Sequence, residues 1–224
     1  MKNYGISNDE RKTVLLTTFV ISLIAGTYLY SLDNMLLTQI CETIPTLRDF
    51  LSDWEHLGLF PTQVTVFLIF NFLTWAFNKY LWKMALFSKL LNVPDLNGTW
   101  IGAYESIREV NGQQIRTTGD MQLIVTQTWN KMMCQSSFEK SESYSDIIYL
   151  DLDSSQGTVL KFTYTNKSHD TACGLPEFSG YNELKLKDKN TLEGTYFTKR
   201  IPSTRGNLFL IRKKSDDDIN ETIN

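Results

Sequence analysis

Histidine is almost missing from this 224-residue chain: His56 and His169 are the only two. The commonest general base and metal ligand is therefore scarce. No G-x-x-x-x-G-K-[ST] or G-x-G-x-x-G phosphate loop occurs, and no H-E-x-x-H metal motif. Ser168, His169 and Asp170 are adjacent in sequence, which is not a triad, because catalytic groups must converge in space from separate positions. Asp151 and Asp153 share one strand face and suit a solvated exterior. Cysteine is also scarce. Cys41, Cys134 and Cys173 are odd in number and form no Cys-x-x-Cys, which argues against a disulfide framework or a zinc site and for free thiols. No charge of one sign dominates, with 22 Lys+Arg against 25 Asp+Glu and a net charge of −3. A basic field able to grip a nucleic-acid polymer is absent, while a small anion held by a few placed cations remains possible. These absences lead us to expect a non-enzyme with no cofactor and no metal.

What the chain does have is divided sharply. Its long apolar runs lie within residues 1–93. Thr13–Leu32 and Leu57–Asn78 are uncharged over 20 and 22 residues and predict two membrane-spanning helices. Lys2, Arg11 and Lys12 precede the first, Lys79, Lys83 and Lys89 follow the second, and the loop between carries only Arg48. That bias predicts a multi-pass inner-membrane protein with both ends inside. The expected order is an N-tail 1–12, helices 13–32 and 57–78 around an outer loop 33–56, and an interfacial segment 79–93. A cytoplasmic domain 94–214 and a disordered acidic tail 215–224 complete it. Thr18, Ser22 and Gly26 recur every four residues, a small-residue face for close helix approach, and Asn71 is a lone central amide. These four are the candidate oligomerisation residues.

From Gly98 onward the periodicity becomes two. Eight strands are expected, at roughly 99–108, 119–128, 131–138, 144–153, 157–166, 178–187, 191–200 and 206–213. Sequential antiparallel strands in that number predict a lipocalin-like up-and-down barrel, all-β, following the two helices. Connections after the even strands are short ("WN", "SSQG", "DKN"), and those after the odd strands are longer, including "EVNGQQIRTTG" and "RIPSTR". One end is thus closed by tight turns, and the other is a mouth.

If Trp100 faces inward, so do Tyr104 and Arg108; on the seventh strand Tyr196, Thr198 and Arg200 share a phase. With Arg116 in the mouth, these are the candidate ligand contacts: forked donors for phosphate beside planar rings for bases. Trp100 and Arg212 are expected to form a structural cation–π brace.

The order of parts, with "PDLNGTWIGAYES" leading into the barrel, resembles the SMODS-associating two-transmembrane, β-strand-rich effectors of CBASS, the bacterial anti-phage systems that signal with cyclic oligonucleotides. The resemblance implies that a partner nucleotidyltransferase makes a cyclic dinucleotide and the barrel binds it. Homo-oligomerisation and disruption of the inner membrane would follow, killing the infected cell. It supplies no ligand-contact motif; the six candidates come from strand phase and mouth position. Two other readings remain open, a membrane-tethered carrier of an apolar molecule and a packed barrel serving as an adaptor.

Overall fold

The computed structural model describes residues 1–7, 11–32, 61–168 and 177–213. It divides into a barrel unit, residues 1–9 with 88–224, and a helical unit, residues 10–87. Cys41, Cys173, His56, His169, the whole of the expected outer loop 33–56 and the acidic tail lie outside the described residues.

In the helical unit, α1 (Arg11–Leu32) packs against α2 (Pro61–Lys79). Proline at the first helical position suits a start there, because its missing N–H would be unpaired anyway. Gly26 makes the close approach: a Cβ there would collide with the Val66 side chain. Phe19 and Phe70 meet edge to face at 5.8 Å. The Thr18 hydroxyl donates to Val14 O, and Ser22 Oγ donates to Thr18 O at 2.6 Å, so both polar groups are satisfied within their own helix. A short 3₁₀ turn (Leu81–Lys83) and α3 (Ala85–Leu91) follow.

The expected pair of spanning helices requires correction. Among the described residues, no helix is long and apolar enough to cross a membrane. The second helix begins only at Pro61, four residues into the apolar run, and Arg11 and Lys12 are incorporated into the first. The multi-pass inner-membrane placement built on that pair falls with it. Nor are residues 1–12 a simple tail, since β1 (Lys2–Asn3) and β2 (Gly5–Ile6) are strands.

The barrel itself is present. Its strands are β3 (Gly98–Val110), β4 (Gln113–Gln127), β5 (Lys131–Phe138), β6 (Ser141–Asp151), β7 (Val159–Ser168), β8 (Phe178–Asp188), β9 (Thr191–Lys199) and β10 (Thr204–Arg212). Each pairs antiparallel with its neighbour in sequence; β10 pairs with β3 and β5 with β6, which closes the ring. Closure removes exposed sheet edges. The β5–β6 seam is short, spanning only Gln135–Ser137 against Glu142–Tyr144. Below it β1 pairs with β5 and β2 runs parallel to β6, so residues 2–7 act as a strap across the gap. Tyr4 is buried there. Ser7 clips the strap through its N–H to Leu150 O at 3.1 Å and through its hydroxyl, which accepts from Leu152 N–H at 2.8 Å.

Inward positions follow the expected phase. Trp100, Leu123, Leu150, Leu160, Leu184, Leu192 and Leu210 are fully buried and fill the tight-turn end. Val93 and Leu96 cap it from below, and removing such side chains from water stabilises the barrel by about 1.5–3 kcal/mol each. Gln127 locks the cap: Leu96 N–H donates to its Oε1, and its backbone N–H donates to Asn97 Oδ1. Cys134 is a free, buried thiol, pushed far above the ordinary cysteine range by burial.

At the opposite end the first connection differs from expectation. "EVNGQQIRTTG" is not a long loop but a tight turn at Asn111 (φ 53°) and Gly112 (φ 75°), and the two flanking strands pair as far as Val110 and Gln113. Two successive positive φ values are what an Asn-Gly hairpin turn requires.

Candidate functional site

Above the apolar floor the inward residues become polar and aromatic. A cup of about 400 Å³ is walled by Tyr104, Tyr164, Tyr196, Asn166, Asn182 and Thr198, among others. A second cavity of about 570 Å³ shares Lys140, Ser141, Asn166, Phe178 and Arg200 with it and adds Arg108 and Lys199. Both lie within the size range of small-molecule sites.

The cup stays hollow because its three tyrosines lie against the wall. Each sits over a glycine on the next strand: Tyr104 on Gly119, Tyr164 on Gly180, Tyr196 on Gly206. A Cβ at Gly119 would stand 2.7 Å from the Tyr104 hydroxyl, and one at Gly206 2.7 Å from the Tyr196 ring. At Gly180 it would collide with Tyr164. Tyr104 also meets Phe138 edge to face at 5.5 Å. Burial pushes the Tyr164 and Tyr196 hydroxyls above the usual tyrosine range, Ser106 and Arg200 offsetting part of the rise at Tyr196. The tyrosine wall is uncharged at neutral pH, as tyrosines ordinarily are, and burial holds it so to higher pH.

Arg200 is held at the lip. Its Nε and Nη2 donate to Thr204 Oγ1 at 3.0 and 2.8 Å, and its guanidinium carbon lies 5.0 Å from the Phe178 ring centre. Thr204 is fixed in turn, its N–H donating to Thr198 Oγ1 at 3.1 Å. Arg108, Lys140 and Lys199 stand nearby with no ion-pair partner among the described residues, whereas Lys167 is paired with Glu177 at 3.1 Å. Glu139 and Glu177 also line these cavities, so the lip is mixed in sign but supplies four cations to a ligand.

The structure thus gathers Tyr104, Tyr196, Thr198 and Arg200 around one cup and puts Arg108 in the adjoining cavity. Arg116 lies elsewhere: its neighbour Thr117 takes the inward place opposite Ser106, and Arg116 pairs with Glu105 on the outer face at 3.5 Å. Arg212 lies 4.4 Å from the Trp100 ring centre and donates to Asn97 O and Asp95 O, at the closed end. Thr18, Ser22 and Gly26 are buried on α1, and Asn71 is exposed, donating to Phe67 O at 2.7 Å in its own helix. Strand phase alone would have added Tyr164, Asn166 and Asn182, which alternate with solvent-facing neighbours on β7 and β8. Phe178, Lys140 and Ser141 flank loops, where phase gives no guidance.

A barrel sealed by side chains at one end and open at the other as a polar, aromatic cup defines a receptor for a small molecule. The family model of the Cap15 cyclic dinucleotide receptor domain matches residues 91–212, and the chain belongs to that family. Among curated proteins the chain is similar to CD-NTase-associated protein 15 of Yersinia aleksiciae, at 27% identity over 140 residues. The match covers 61% of this chain and 64% of the relative, a little under two thirds of that protein's length.

Proposed function

We propose that the barrel is the sensor of an anti-phage effector and binds a cyclic dinucleotide made by a cognate nucleotidyltransferase. The phosphates lie at the lip on Arg200 and Lys140, and the bases enter the tyrosine-walled cup. The observation that carries this is the stacking of environments along one barrel axis: apolar floor, neutral aromatic wall, cationic lip. An apolar cargo would leave the Asn182 side chain, which has no hydrogen-bond partner among the described residues, facing a surface that can offer it none. A packed adaptor would have no use for glycines that hold the tyrosines back.

Occupancy of the barrel promotes self-association through the helical unit. In a single chain the Thr18, Ser22 and Gly26 face is already buried, with Gly26 against Val66. The self-contact falls instead to the exposed apolar residues Leu16, Ile24, Leu68 and Phe72. The membrane-disrupting step implied by the resemblance has no spanning helix among the described residues to rest on.

The test is isothermal titration of the full chain with a panel of cyclic dinucleotides and fatty acids, with light scattering to follow association. Saturable binding of a cyclic dinucleotide, weakened roughly 10-fold or more in Arg200→Ala, is expected, since a hydrogen bond to a charged group contributes about 1.5–3 kcal/mol. Binding confined to fatty acids would overturn the reading.

A further inference from the structure

Two carboxamides line the cup, and they differ. Asn166 Nδ2 donates to Ser141 Oγ at 3.2 Å. The Asn182 side chain makes no hydrogen bond with any of the described residues, and although the residue is only 5% exposed its amide keeps access to the cup it lines. It lies on β8 between Phe162 of β7 and Tyr196 of β9 in register. An amide placed so has a donor and an acceptor free for whatever enters the cup.

We propose that Asn182 reads the edge of one nucleobase, its carbonyl accepting from and its amide donating to adjacent positions on that edge. The inference rests on the cyclic dinucleotide reading above and names the residue that confers base preference. Arg200 follows directly on the end of β9, four residues beyond Tyr196, which pairs with Asn182. In this arrangement one base reaches Asn182, with the ring faces of Tyr164 and Tyr196 beside it, while its phosphate remains at the lip. A carboxamide is a donor and an acceptor side by side, which is why Asn and Gln pair bidentately with base edges.

The chemistry gives a directional test on the full chain. Titrate the unaltered protein, Asn182→Leu, Asn182→Asp and Arg200→Ala with four cyclic dinucleotides carrying only adenine, guanine, uracil or cytosine, and record ligand-free melting temperatures. Asn182→Leu should lose roughly 10- to 100-fold in affinity for the preferred base, and its ligand-free melting temperature should not fall, since no hydrogen bond within the protein is lost. Asn182→Asp should move preference toward guanine, whose adjacent N1–H and N2–H groups suit a side chain that only accepts. Arg200→Ala should weaken all four ligands by a similar factor. Unchanged affinity and ranking in both Asn182 variants would overturn the base-reading role and leave the receptor reading standing. So would a melting temperature lowered in Asn182→Leu with ranking intact in Asn182→Asp, which points to packing. Failure of the unaltered protein to bind any of the four would overturn both.

Discussion

Two arginines in this barrel sit on aromatic rings, and their surroundings set them to different tasks. Arg212, at the tight-turn end, covers Trp100 and donates to the backbone carbonyls of Asn97 and Asp95. Burial draws its pKa down, with Asp95 opposing. Arg200, at the mouth, lies over Phe178 and donates to a single threonine hydroxyl, leaving the rest of its fork to solvent. The same chemistry acts as a rivet where the partners are backbone and the site is closed. Where they are side chains and the site is open, the group is left available as the docking point proposed above. Sequence distinguishes the two only by which end of the barrel each strand position occupies.

The comparison is broken most directly at the rivet. Trp100→Ala should destabilise the chain by about 3–5 kcal/mol, measured by urea denaturation, because it opens a cavity and strips the ring from beneath Arg212. A loss below about 1 kcal/mol would mean the closed end is not what holds the barrel. At the mouth, Gly119→Ala places a methyl against Tyr104 alone, 2.7–2.8 Å from three atoms of its side chain. Overpacking of this kind costs roughly 1–3 kcal/mol, and it should drive the ring into the cup and weaken ligand binding. Combining it with Tyr104→Ala should restore much of the stability, a non-additive result expected of residues in contact. Simple additivity in that cycle would remove the glycine-seat argument.

The barrel was legible in outline because alternation is a strong signal when one face is buried. Trp100, Tyr104, Leu192, Tyr196 and Leu210 all lie where a period of two puts them. The Asn111–Gly112 turn was missed because the flanking residues, Gln113 to Thr118, are exposed and carry no apolar alternation to mark a strand. Arg116 was misplaced for the same reason: counted as loop, it had no phase, and the register sets it outside. The strap could not be read at all. Residues 2–7 are too short to show a pattern, and their partners lie about 130–150 positions away. The helical pair was read as apolar runs, whereas packing of Gly26 on Val66 shows that part of the small-residue face serves the fold of one chain.

The strap sharpens the comparison at intermediate size. A Cβ at Gly5 would stand 2.7 Å from the Tyr149 ring, so Gly5→Val should cost roughly 1–2 kcal/mol. Hydrogen exchange should show the loss locally, as faster exchange in residues 131–134 and 147–150 with β9 and β10 unchanged. Uniform acceleration across the barrel would mean that the strap is not a separable part of the wall.

The smallest effect concerns the neutral wall of the cup. Burial raises the folded-state pKa of Tyr164 above the ordinary tyrosine value of about 10. Tyr196 shifts the same way. Above that value the unfolded chain releases these protons and the folded chain retains them. Their contribution to stability is therefore fully present below about pH 10 and is lost as pH rises through the folded values. Melting temperatures from pH 8 to 11 should coincide in slope for the unaltered chain and Tyr164→Phe up to about pH 9.5. Beyond it the unaltered chain should fall more steeply. Parallel curves throughout would mean the Tyr164 hydroxyl is as well solvated folded as unfolded. The cup wall would then be solvated at that tyrosine, still uncharged at neutral pH, and desolvation would not be what distinguishes it from the lip.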